Sequence, residues 1–214
     1  MKKIIIIVSI VVVVAILGFV AYSLANSEKV PQAFVDKHNE KVALEKQAAA
    51  ASDLTTLPEW NAFNAQMEKN NYVDASASIA VALSKKQEAS DKLDAITVTL
   101  SELETISKDI TDAKIKTNAD NFIAVAKQEN SAKITYNNLQ IQMIEKLKAM
   151  VDILAVNSTA ISAEDEKTIN DLSAEIDALE TQVANAKTAL DTIQSTYTTT
   201  EKNFFELIGL EAVK

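Results

Sequence analysis

Residues 162–208 read SAEDEKTINDLSAEIDALETQVANAKTALDTIQSTYTTTEKNFFELI. Within this stretch Ile169, Leu172, Ile176, Leu179, Val183, Ala186, Leu190, Ile193, Tyr197, Thr200, Phe204 and Leu207 follow one another in alternating steps of three and four. An α-helix turns once every 3.6 residues, so this spacing lays the side chains along one stripe. Sustained over more than five heptads, it marks a helix whose seam packs on other helices. Ala186 and Thr200 are its weak members. Ser162 is placed to cap the start, and Glu164, Asp165 and Glu166 set negative charge against the positive end of the helix dipole. Three successive helix positions point about 100° apart, so these acids do not converge on a cation. Gly209 stands where a helix C-cap is expected.

Upstream, Asn157 to Ser162 reads as an interhelix connection, and the helix before it is expected over 111–156. Phe122, Ala126, Tyr136, Met143, Leu147, Met150 and Leu154 form one stripe there, with Ile134, Ile141, Ile144 and Val151 beside it. Two adjacent stripes suit a helix packed by two neighbours. A further helix is expected over 58–106. Trp60, Phe63 and Met67 share a face, Lys69-Asn70-Asn71 suggests a kink or short turn, and Ile79, Ala82, Ala89, Leu93, Ile96, Leu100 and Leu103 continue the pattern. Pro31 opens a shorter helix over 31–52, and the loop formers of 53–58 close it. The predicted object is all-α: an elongated antiparallel helical bundle over residues 28–214 with coiled-coil-like packing, its longer helices each roughly 65–70 Å.

Composition narrows the functions. The 150 residues from Glu59 to Ile208 hold neither Gly nor Pro, and the chain has no Cys and one His. β-rich folds with their tight turns, glycine-rich phosphate cradles, zinc ribbons and thiol chemistry are thereby excluded. All 21 basic residues are Lys, and the net charge is −9. An acidic surface without guanidinium groups disfavours nucleic acid.

Residues 1–27 carry a different signal. Ile4 to Tyr22 is an apolar run of 19 residues preceded by Lys2 and Lys3. A helix of that length spans roughly 28 Å, close to the hydrocarbon thickness of a bilayer. The expectation is a signal anchor with its N-terminus cytoplasmic and residues 28–214 extracytoplasmic. Ile4, Ile10, Val14, Ile16 and Phe19 would lie in the lipid and Tyr22 at the far interface. Cleavage after Ala25 would instead release a secreted protein.

Candidate chemistry is sparse. His38 has no acid at −3 or −4, the spacing a helical metal site needs, and reads as a solvent-exposed histidine. Asn118, Asp120 and Asn121 resemble the start of a calcium loop, but no glycine follows. Aromatic residues fall on the apolar stripes and read as core. Phe205 lies beside the seam, and with Ile208 and Leu210 it makes a second apolar edge, the candidate partner contact unless it packs on the first helix. Asn157-Ser158-Thr159 is a formal glycosylation sequon. The hydroxyl-rich run from Ser195 to Thr200 reads as a solvated face, with glycan binding as the alternative. No catalytic, metal or cofactor site is expected.

The arrangement from Ser107 to Leu207 resembles the cell-wall-binding lipoproteins of Gram-positive bacteria. It carries a long helix with a central Tyr136, a turn with an acid-rich restart at Ile161 to Asp165, and an end with Tyr197, Lys202, Phe204 and Phe205. That family bears a lipidated cysteine and this chain has none, so the resemblance implies a protein anchor in its place.

The expected function is therefore non-enzymatic: a membrane-anchored extracytoplasmic bundle with a structural or interaction role in the cell envelope. Its partners would be membrane lipid through the N-terminal helix and an envelope protein or wall polymer. The seam of the last helix also admits a homo-oligomer. The alternative is an extracytoplasmic sensory or ligand-binding domain that works with a separate signalling partner.

Overall fold

The computed structural model describes residues 29–157 and 160–209. These residues are all-helical, without a strand. The α-helices are α1 (Gln32–Ala49), α2 (Pro58–Glu68), α3 (Tyr72–Ile106), α4 (Ala113–Val156) and α5 (Ala163–Ile208). Short 3-10 turns occupy Leu54–Thr56 and Ser107–Asp109. None of these helices is long and apolar enough to cross a membrane. The expected span, with Ile4, Ile10, Val14, Ile16, Phe19 and Tyr22, lies outside the described residues, as does Leu210.

Local chemistry sets the boundaries. The Asp53 carboxylate accepts from the Thr55 backbone N–H at 2.9 Å and caps the first 3-10 turn. Pro58 opens α2, where a missing N–H costs nothing. The stretch expected as one helix over 58–106 is divided at Asn70, whose φ of 55° is left-handed. Asn tolerates that region better than other residues with a Cβ, because its short polar side chain bonds locally. The Asp112 carboxylate accepts from the Ile115 N–H at 2.9 Å to start α4. Ser162 caps α5 by accepting from the Asp165 N–H at 3.1 Å, and its hydroxyl donates back to the Asp165 carboxylate. Gly209, with φ 86°, ends α5.

The described residues fall into two compact units. The first takes residues 29–46, 95–130 and 193–209, and the second takes 47–94, 131–157 and 160–192. In the first unit Phe34 of α1, Leu100 and Leu103 of α3, Phe122 and Ile123 of α4 and Phe204 of α5 are buried together with little exposure. Phe204 stacks on Phe122 at 5.5 Å between ring centres and meets Phe34 at 5.6 Å. In the second unit the core joins Leu54, Leu57, Phe63, Ile79, Met143, Ile144, Val151, Ile176 and Leu179. Ala75 and Ala82 are fully buried there, and residues that small let helix backbones approach closely.

The seam that opened the sequence reading is the inward face of α5. Ile176, Leu179, Leu190, Tyr197 and Phe204 are buried, and the other seam members are half-buried. This burial is provided by residues of the same chain.

Candidate functional site

The seams contain charge. On α3 the stripe noted above skips from Ala82 to Ala89, and the seam position between them is Lys86, which is fully buried. On α4 it skips from Ala126 to Tyr136, and Glu129 fills a gap position at 2% exposure. On α1, Phe34, His38, Lys41, Glu45 and Ala48 follow the same steps of four and three, and Lys41 is 0% exposed. A heptad template would have found all of these as polar residues at core positions.

The cluster in the first unit is built from three helices. The Lys41 ammonium of α1 donates to the Glu45 carboxylate at 2.8 Å, one turn further along the same helix. It also donates to the Tyr197 hydroxyl of α5 at 2.7 Å. The same ammonium lies 4.8 Å from the centre of the Tyr197 ring, within cation–π range. Tyr197 in turn donates its hydroxyl proton to the Glu201 carboxylate, a turn later on α5. The imidazole Nε2 of His38 is 3.8 Å from the same carboxylate. Glu129 of α4 is close enough for its charge to act on Tyr197 and Glu201.

Burial dictates the protonation of this cluster. Desolvation lowers the His38 imidazole to about 3, and the Lys41 charge adds to the effect. Desolvation raises the Tyr197 phenol well above its usual value, reinforced by Glu45 and Glu201. The Glu201 carboxyl is also raised, by burial first; the Lys41 charge and the Tyr197 hydrogen bond oppose the shift, and Glu45 and Glu129 reinforce it. At neutral pH the cluster thus holds a neutral imidazole, a neutral phenol and an ammonium against acidic side chains.

The solvent-exposed His38 of the sequence reading is corrected here. Its exposure is 4%, because it occupies the inward heptad face of α1 between Phe34 and Lys41. Its ring lies 4.6 Å from Phe205 and 5.7 Å from Phe122. That contact also places Phe205: its ring packs on α1 and against Phe204, and Ile208 is buried at 3% exposure. At these two positions the apolar edge offered as a partner contact is covered by the chain itself.

A second polar cluster lies in the second unit. The Lys86 ammonium donates to the backbone carbonyls of Ala51 and Ser52 at 2.8 and 3.2 Å. These carbonyls lie in the connection that follows α1, where no helix ladder supplies a donor. Desolvation lowers this ammonium to about 8. Asn137 of α4 donates to the Lys86 carbonyl at 3.1 Å. Desolvation, joined by the charges of Asp53 and Asp191, pushes the neighbouring Tyr136 phenol up to about 12.

The remaining sequence candidates have structural roles. Asp120 accepts from Lys116 at 2.9 Å and from the Ser107 hydroxyl at 2.8 Å, and Asn118 donates to the Lys114 carbonyl, so this segment forms no calcium loop. Asn157 donates to the Asp165 carboxylate at 3.0 Å, while Ser158 and Thr159 of the sequon lie outside the described residues. The hydroxyls of Thr198, Thr199 and Thr200 each donate to the carbonyl four residues earlier, which commits their protons to the helix backbone. Among the described residues no group of three or more His, Asp or Glu side chains could hold a metal ion.

Compared with known proteins, the chain matches no family model, no curated protein and no solved structure.

Proposed function

We propose that this chain is a membrane-anchored, extracytoplasmic helical-bundle protein that acts by contact rather than by catalysis. The observation that carries the reading is where the reactive side chains are. The groups best suited to acid–base or nucleophilic work, Lys41, Lys86 and His38, are 0–4% exposed and sit in the packed helix interior. There they hold helices together: Lys41 links α1 to α5, and Lys86 closes the carbonyls that follow α1. A catalytic group must reach a substrate, and these face their own chain.

The anchor rests on the apolar run Ile4 to Tyr22 behind Lys2 and Lys3. In this reading the bundle has antiparallel, coiled-coil-like helix packing and serves the cell envelope as a scaffold, spacer or binder of an envelope protein or wall polymer. The resemblance to cell-wall-binding lipoproteins agrees with that role. Crosslinking in the native envelope, followed by identification of the captured species, tests it. An envelope protein or wall fragment is the expected catch. Recovery of the chain in the soluble fraction after a carbonate wash overturns the anchor. An activity of residues 28–214 that a point substitution abolishes without unfolding overturns the contact role.

A further inference from the structure

Both apolar stripes of α4 are interrupted at one level. Gln140 takes the seam position between Tyr136 and Met143, and Asn137 takes the position between Ile134 and Ile141. Both amides lie inside the second unit, at 2% and 3% exposure. Helix positions three apart stand one above the other on one face, so the two amides are neighbours. The donor half of each is committed. Asn137 Nδ2 donates to the Lys86 backbone carbonyl of α3 at 3.1 Å. The Gln140 side chain hydrogen-bonds the Tyr136 hydroxyl and acts to lower that phenol against its burial, which is the effect of a donor facing the phenol oxygen. These bonds fix both amide orientations and turn Asn137 Oδ1 and Gln140 Oε1 away. Each of the two oxygens is buried and has no hydrogen-bond partner among the described residues.

An orphaned carbonyl oxygen in a packed interior is costly, and two on one helix face call for a donor from outside the chain. The facing surface leaves room for a small one. Asn137 meets α3 at Lys86, which stands between Ala82 and Ala89, both buried and both small. We propose that Asn137 and Gln140 form an internal hydration site, in which one water molecule donates a proton to each of the two amide oxygens.

The chemistry of the two groups selects the ligand. Both are acceptors, so an anion gains nothing from them. A hard cation takes six or more oxygens, and two amide oxygens fall well short of that shell. Water has two protons to give, one for each oxygen, and buried waters serve this role in protein interiors. Bound there, the water lets Asn137 keep its bond to α3 without stranding its own oxygen. It likewise lets Gln140 keep its bond to Tyr136. The site belongs to the second unit alone, so it is independent of the membrane reading and survives if the anchor is disproved.

Nuclear magnetic resonance of the full chain tests the site. The side-chain amide protons of Asn137 and Gln140 should show cross-peaks to water, with the sign of a molecule that tumbles with the protein. The Tyr136 hydroxyl proton also exchanges with water, so Tyr136→Phe is the control, and the Asn137 cross-peak should persist in it. Gln140→Met removes one of the two acceptors at similar volume. In that variant the Asn137 cross-peak should fall several-fold while the backbone spectrum stays that of the folded chain. No bound-water cross-peak in the native chain, or its loss from Asn137 in folded Tyr136→Phe, overturns the proposal. So does an Asn137 cross-peak that is unchanged in Gln140→Met. A shift of both amides when sodium chloride is replaced by rubidium chloride overturns it in favour of an ion.

Discussion

The Lys41 ammonium donates a hydrogen bond of 2.7 Å to the Tyr197 hydroxyl across 156 residues of sequence. Both side chains are buried, at 0% and 7% exposure. The bond joins α1 to α5. It makes the interior of the first unit selective, because an apolar seam accepts many partners whereas a buried ammonium accepts few.

Removal of the phenolic oxygen should therefore be costly for so small a change. In Tyr197→Phe the ammonium keeps only Glu45, and Glu201 loses its donor. Urea unfolding should show a loss of about 1–3 kcal/mol, the range for a buried polar group left unsatisfied. Lys41→Met should cost more, about 3–5 kcal/mol, because it removes from the interior the ammonium bonded to Glu45 and Tyr197. An equal and small effect of both would mean that water solvates the cluster.

His38 gives the first unit an acid-sensitive element. Its folded titration point lies near 3 and the unfolded one near 6.5. As pH falls below 6.5 the unfolded chain gains a proton that the folded chain does not, so stability declines. Between pH 7 and 5 this amounts to roughly 2 kcal/mol. His38→Phe keeps an aromatic ring against Phe205 and Phe122 and removes the titration. Its stability relative to the native chain should rise by about that amount over the same interval, measured by denaturant unfolding at each pH.

Lys86 gives the second unit the opposite, alkaline signature. Its ammonium is held near 8 in the fold, against about 10.4 for an unperturbed lysine. From pH 8 to 10 the unfolded chain keeps a proton that the folded chain has released. Stability should climb by about 2–3 kcal/mol, until ionisation of the unfolded tyrosines reverses it near pH 10. Lys86→Met should flatten that climb in calorimetry.

The turn between α2 and α3 depends on Asn70 and its φ of 55°. Asn70→Val places a β-branched side chain in the left-handed region and should lower stability by about 1–2 kcal/mol. Asn70→Gly should be close to neutral, since glycine enters that region freely but gives up more chain entropy on folding. Thermal melting of the pair distinguishes backbone strain from a lost side-chain contact.

Helicity and the inward face of each helix follow from residue order alone. Period and turn chemistry are local properties, so the α5 seam, the opening of α2 at Pro58 and the cap at Ser162 could be read before any contact was known. The charged seam residues were legible as positions: Lys86 sits between Ala82 and Ala89, and Lys41 lies seven residues after Phe34. What those residues do was decided only by the tertiary structure. A stripe of Leu, Ile and Ala packs acceptably in several axial registers, because dispersion and burial are not directional. Hydrogen bonds are directional, and only the assembled helices bring Lys41 to Tyr197, Lys86 to the carbonyls of Ala51 and Ser52, and His38 beside Phe205. The same assembly turned a histidine expected in solvent into a buried neutral one, because exposure depends on what covers a face and not on the face alone.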